Sequence, residues 1–190
     1  LSDLVVAREP LSGILESGLA ALLRAHWEEV AHDRDQIELD PDWNGYLDDE
    51  RQHRFIAWSA RRDGELVGYN AFFTVRPRHY QRDIFAINDV IYLKPGERGV
   101  SGVSMIVQVE RALKEIGVAK AFYHVKTDAI LGQVGDSLEA LEQITDLEHT
   151  LGVTFPDALF ATDRTLGGVL RALGYNHIEN HFGKLLLEKG

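Results

Sequence analysis

The sequence predicts an α+β fold, a mixed and mainly antiparallel sheet flanked by helices, in a single domain of 190 residues. Three observations lead there. Residues 53–61 and 66–75 read as strands joined by Arg62-Asp63-Gly64-Glu65, whose Asp-Gly pair suits a tight hairpin. Residues 83–93 read as a third strong strand, broken by Lys94-Pro95-Gly96-Glu97-Arg98-Gly99. A wide helical stripe follows over 102–116, stopped by Gly117, and then another strand over 119–127. A chain of this length can bury a core of ordinary size.

The other elements follow in order. Residues 3–8 form a short strand. Pro10 is placed to open a helix, and Leu11, Ile14, Leu15, Leu19, Leu22, Leu23, His26 and Val30 continue it as one stripe. Residues 32–52 are polar and suggest a loop with a short helix. In a regular third strand Phe85, Ile87, Asp89, Ile91 and Leu93 share one face. Leu138, Leu141, Ile144, Leu147 and Leu151 are spaced as a helix, a last helix spans 164–173 before Gly174, and 177–188 reads as a final strand.

Composition narrows the function. The chain is 45% hydrophobic and 26% charged, with a net charge of −10 and no cysteine. Disulfides, thiolate metal sites and cysteine nucleophiles are therefore excluded. The charge is uneven: 128–163 has no Lys or Arg and eight of the 30 acidic residues, leaving 22 acids against 20 bases elsewhere. This acidic segment is read as a helical insertion, most simply a solvated helix face. Uniform nucleic-acid binding is disfavoured without a basic face. No apolar run is long enough to span a membrane and no signal-peptide pattern is visible, so a cytoplasmic location is expected. The eight histidines show no metal-binding spacing, so no metal site is expected.

The unit that carries chemistry is the strand, glycine turn and helix over 83–116. Arg98, Gly99, Val100, Ser101, Gly102, Val103 and Ser104 can aim several backbone N–H groups at one point, with the positive end of the helix behind them. That suits a phosphate or pyrophosphate, although a plain strand–helix connection also uses glycine.

The order of elements, Asn88-Asp89-Val90-Ile91-Tyr92-Leu93-Lys94-Pro95, Arg98-Gly99 and the late Leu173-Gly174-Tyr175 together resemble the GNAT superfamily of N-acetyltransferases. The likeness covers about 1–127 and 164–190. It is greatest to GNAT-like proteins of tailed phages, where His26-Trp27-Glu28-Glu29 and His79-Tyr80 also fit. It implies acetyl-CoA as co-substrate, its pyrophosphate on the turn amides and its thioester carbonyl near the amides of Ile91 and Leu93. Arg98 matches the first position of the family turn, whereas Ser101 and Val103 stand where glycines are usual and Gly102 is displaced by one. The resemblance makes Asp89 the candidate base, with Ile87 and Ile91 able to desolvate it. The family's usual tyrosine acid falls at Leu170, so Tyr123, Tyr80 or water is the substitute, with His79 and His26 as further bases. The acceptor implied is a small amine or a protein lysine. Two other functions stand beside this one. The first is a non-catalytic GNAT-fold phage protein that binds a host or virion partner through its acidic insertion. The second comes from a local likeness: Gly135-Asp136-Ser137-Leu138, continuing to Thr165-Leu166-Gly167, resembles the second half of an acyl carrier protein, whose serine bears phosphopantetheine. Asp136 or Ser137 is equally a helix cap.

Overall fold

A computed structural model describes residues 3–31, 34–124, 148–149 and 166–175. The elements are β1 (Val5–Arg8), α1 (Leu11–Glu16), α2 (Leu19–Val30), α3 (Trp43–Arg51), β2 (Phe55–Arg62), β3 (Glu65–Val75), β4 (Ile84–Leu93), a 3-10 turn (Pro95–Glu97), α4 (Val100–Glu115), β5 (Val118–Phe122) and α5 (Leu166–Ala172). One sheet runs in the order β1-β2-β3-β4-β5. Neighbours are antiparallel up to β4, while β4 and β5 are parallel. A parallel pair needs a crossover, and α4 supplies it. The β2–β3 hairpin turns at Asp63 and Gly64, whose φ values of +50° and +83° give a reversal that matches strand twist.

Helices cover both faces. On one, α1 and α2 bury Leu11, Ile14 and Leu22 against Phe55, Tyr69 and Tyr92, and α3 packs Trp43, Tyr46 and Leu47, partly buried, beside them. On the other, α4 sets Met105, Val109 and Leu113 on Trp58, Phe72 and Leu93. Helix α5 docks beside α4, with Val169 and Leu170 against Val103 and Ile106.

The stripe expected as one helix over 11–30 is two. Gly18, at φ +98°, breaks it, because that backbone conformation cannot continue a right-handed helix. Its two halves still bury one face, which is why the apolar pattern runs through the break. The acidic insertion at 128–163, its helix near 138–151 and the strand expected at 177–188 lie outside the described residues, apart from 148–149.

Candidate active site

Strand β4 is irregular where its chemistry lies. Ala71 of β3 faces Val90 and Phe72 faces Asn88, so Asp89 is an extra residue in the ladder. A bulge of this kind turns two consecutive side chains to the same face. Asp89 and Val90 both line the side under α1–α3, while Ile91 and Leu93 pack on the α4 side. The single face expected for Phe85, Ile87, Asp89, Ile91 and Leu93 is thereby corrected: Asp89 and Ile91 are on opposite faces.

Two buried asparagines hold the bulge. Asn88 Nδ2 donates to the carbonyls of Ala71 and Val90, each at 3.0 Å, and to Asn70 Oδ1 at 2.9 Å. Asn70 Nδ2 in turn donates to the Tyr123 hydroxyl at 3.2 Å. The acceptors include carbonyls from both strands at the irregular step, where the ladder pattern is interrupted. Sequence reasoning did not single out Asn70 or the role of Asn88. Asparagine is depleted in strands, so one between Tyr69 and Ala71 and one after Ile87 were the available signal.

The two parallel strands part beyond this point. Their last paired residues are Ile87 and Phe122, so the β5-side edge of β4 from Asn88 onward has no strand partner among the described residues. The glycine turn stands past the end of that edge. Gly99, at φ +88° and ψ −127°, begins α4 in a conformation open essentially to glycine alone. No side chain caps the helix. The Gly102 and Val103 amides donate to the Gly99 carbonyl at 3.0 and 3.3 Å, and the amides before them are the open donors of a helix start. Ser104 is buried and accepts from Gln108 at 2.9 Å.

Two guanidiniums stand near this turn. Arg98 donates to Glu29 at 2.5 Å and to the Leu93 carbonyl at 2.9 Å, and lies 5.4 Å from the centre of the Tyr92 ring. Arg62 donates to Glu97 at 2.6 Å and to the Ser101 hydroxyl at 3.3 Å. The hydrogen bond from Arg98 holds the Glu29 carboxyl below its ordinary range.

On the opposite face Asp89 borders a small, partly open cavity of about 40 Å³ lined by residues of α1, α2, α3 and the strands. Tyr46 of α3 donates to Asp89 Oδ2 at 3.0 Å. Burial pushes the Asp89 carboxyl upward, and the Tyr46 hydrogen bond and the His124 charge oppose that. Tyr46 was not foreseen, since it sits in the polar stretch expected to be mostly loop. Tyr69, also on the cavity wall, shares a 2.7 Å hydrogen bond with His26 Nδ1, and His26 stacks on Tyr92.

The other candidates are spread out. His79 and Tyr80 lie exposed in the β3–β4 connection, with Tyr80 stacked on Phe85 near the start of β4. Asp89 is four residues further on, about 13 Å along a strand. Tyr123 follows β5, with its ring against Phe72 and Tyr175, and burial holds its proton more firmly than usual. Leu170 is in the core beside it. Ser137 lies outside the described residues. Among the described residues no three His, Asp or Glu side chains are grouped as for a metal ion, and no helix is long and apolar enough to cross a membrane.

The fold, with its parted parallel strands and bulged β4, is the GNAT fold. An aminoglycoside acetyltransferase from an uncultured soil metagenomic sample, in complex with sisomicin, is similar at a TM-score of 0.56 and 14% identity, covering 97% of each chain. Glucosamine-6-phosphate N-acetyltransferase from Arabidopsis thaliana gives a TM-score of 0.54 at 8% identity, over 97% of this chain and 99% of that one. A predicted acetyltransferase with acetyl-CoA from Clostridium acetobutylicum gives 0.51 at 12%, over 92% and 100%. A family model described as a phosphopantetheine attachment site matches residues 130–173. Comparison with curated protein sequences gives no match.

Proposed function

We infer that the protein is an N-acetyltransferase that moves an acetyl group from acetyl-CoA to a primary amine. The observation that carries this is the pairing of two features at one end of the sheet. The unpaired edge of β4 leads to the open amides of α4, and the bulge sends Asp89 to the opposite face beside a cavity. Acetyl-CoA has a pyrophosphate for the helix start and a pantetheine arm with amides for a free strand edge. The acetyl-CoA bound by the Clostridium acetobutylicum neighbour supports that choice.

In the reaction Asp89 accepts the proton of the ammonium, which leaves a neutral amine. The nitrogen lone pair attacks the thioester carbonyl carbon, with backbone amides near Ile91 and Leu93 holding the developing oxyanion. The C–N bond forms, the nitrogen gives up its second proton, the C–S bond breaks, and the thiolate takes a proton, so the amide and the CoA thiol leave with one proton held on Asp89. For that end of the reaction we take Tyr123 as the acid, a hydroxyl whose proton burial holds firmly until the thiolate forms. The raised position of the Asp89 carboxyl makes it a better base.

Calorimetric titration with acetyl-CoA tests the reading. Saturable binding in the micromolar range is expected. No binding at millimolar acetyl-CoA would remove the enzyme, and the scaffold would then serve a protein partner, with the acidic insertion at 128–163 as its contact surface.

The family match at 130–173 favours one second reading, a carrier segment modified on Ser137. A working carrier needs its own closed bundle. Helix α5 belongs to the matched stretch, yet Val169 and Leu170 are buried against α4. We therefore read 128–163 as an insertion in one domain and Ser137 as an unmodified helix cap. Its replacement by alanine should cost about 0.5–2 kcal/mol of stability. Intact mass after incubation with CoA and a broad-specificity phosphopantetheinyl transferase decides. One added phosphopantetheine group, absent in Ser137→Ala, would restore the carrier.

A further inference from the structure

The cavity beside Asp89 has walls whose chemistry selects among amines. Leu11, Ile14, Leu23, Phe55 and Ala57 form much of its lining. Two of its hydroxyls are already engaged, Tyr46 on Asp89 and Tyr69 with His26. Among the described residues no second side chain donates to the Asp89 carboxyl, so a ligand ammonium has one acceptor to meet. A cation at that carboxylate with hydrocarbon against the remaining wall is the complementary ligand. A polyhydroxylated amine fits less well, since this mostly apolar wall offers few partners to hydroxyls that lose water inside it.

Size narrows the class. The cavity holds about 40 Å³. One water needs about 10–15 Å³, and an apolar cavity that admits benzene has about 150 Å³. On the water yardstick the space takes about three heavy atoms, the size of a short alkyl chain.

Resting on the transferase reading, we propose that the acceptor is a short unbranched primary alkylamine of about two to four carbons, bound tail-inward with its ammonium on Asp89. A lysine side chain shares the ammonium and the methylene chain, but its far end is a polypeptide. It cannot enter tail-first.

The test is a set of binding titrations of the full chain without acetyl-CoA, by calorimetry and ligand-observed NMR. The ligands are ethylamine, propylamine, butylamine, hexylamine, glucosamine and the methyl amide of Nα-acetyl-lysine. Affinity should rise about fourfold per methylene up to the cavity's length and then level off. Glucosamine and the lysine amide should bind at least tenfold more weakly than butylamine. Asp89→Asn should bind butylamine no better than butan-1-ol. Ala57→Val, checked for an unchanged melting temperature, should shift the plateau to a shorter amine. A flat series, or glucosamine or the lysine amide binding as tightly as butylamine, overturns the proposal. Acetyl-CoA titrations keep the two readings apart. A flat amine series with acetyl-CoA binding intact removes the alkylamine and keeps the transferase. The expected series without acetyl-CoA binding keeps the pocket and removes the transferase.

Discussion

Burial and Tyr46 pull the Asp89 carboxyl in opposite directions, and burial is the larger effect. Its proton is therefore held to higher pH in the folded chain than in the unfolded one. The sign for stability follows: the folded state is favoured most below the unfolded carboxyl's range and loses that advantage as pH rises through the folded value. Asp89→Asn should thus melt higher than wild type at neutral pH, with the difference vanishing in acid, as scanning calorimetry across pH would show. In catalysis the same substitution should lower kcat by about 10²–10⁴ and leave acetyl-CoA affinity nearly unchanged. A wild-type rate across pH would take Asp89 out of the mechanism. Tyr46→Phe removes a hydrogen bond that stabilises the carboxylate. The acidic limb of the pH–rate profile should then move to higher pH, and an unmoved limb would mean that Tyr46 only packs.

At the scale of elements, the start of α4 and the bulge in β4 can be tested separately. Gly102 is buried, so a large side chain there tests packing as much as charge. Ser101 is the better probe. Ser101→Glu puts a carboxylate in the first turn, where it favours the helix dipole and competes with a phosphate. Melting temperature should hold or rise while acetyl-CoA affinity drops at least tenfold; unchanged affinity would place the pyrophosphate elsewhere. For the bulge, Asn88→Ala strips the shared donor from the Ala71 and Val90 carbonyls and from Asn70. The expected cost is about 1–3 kcal/mol by urea denaturation, the usual range for buried polar groups left unpaired. Turnover should fall too, because the bulge is what aims Asp89.

For the whole molecule, acid is the vulnerable side. The Arg61 hydrogen bond lowers the Glu9 carboxyl, and the Arg98 hydrogen bond lowers Glu29. These ties join the stretch after β1 to β2, and α2 to the turn before α4. Their contribution is present above the unfolded carboxyl range and lost as pH falls through the lowered folded values. Denaturant midpoints should decline as pH falls below about 4. Glu9→Gln should flatten that decline, and an unchanged slope would mean that the Arg61 tie adds little. Both pairs are partly exposed, so each contribution is modest.

Local chemistry accounts for what the sequence determined by itself. Alternating apolar residues, the Asp63-Gly64 turn, the glycine before α4 and the stop at Gly117 each act over a few neighbours, and with them the element order and the mixed sheet were legible. Asp89 was singled out by the family resemblance, as the carboxylate on the strand before the glycine turn. Other features depended on partners far away in the chain. Strand periodicity assumes a regular ladder, and the bulge exists because Asn88 finds Ala71 across β3. Gly18 breaks the helix while leaving its apolar stripe unbroken, so the pattern hid the break. Tyr46 reaches Asp89 only because α3 folds over the sheet. The pairing of Arg98 with Glu29 likewise needs α2 to pass the turn. Tertiary structure decided which face Asp89 occupies and what surrounds it, since a one-residue slip in register reverses a strand's faces without altering its sequence.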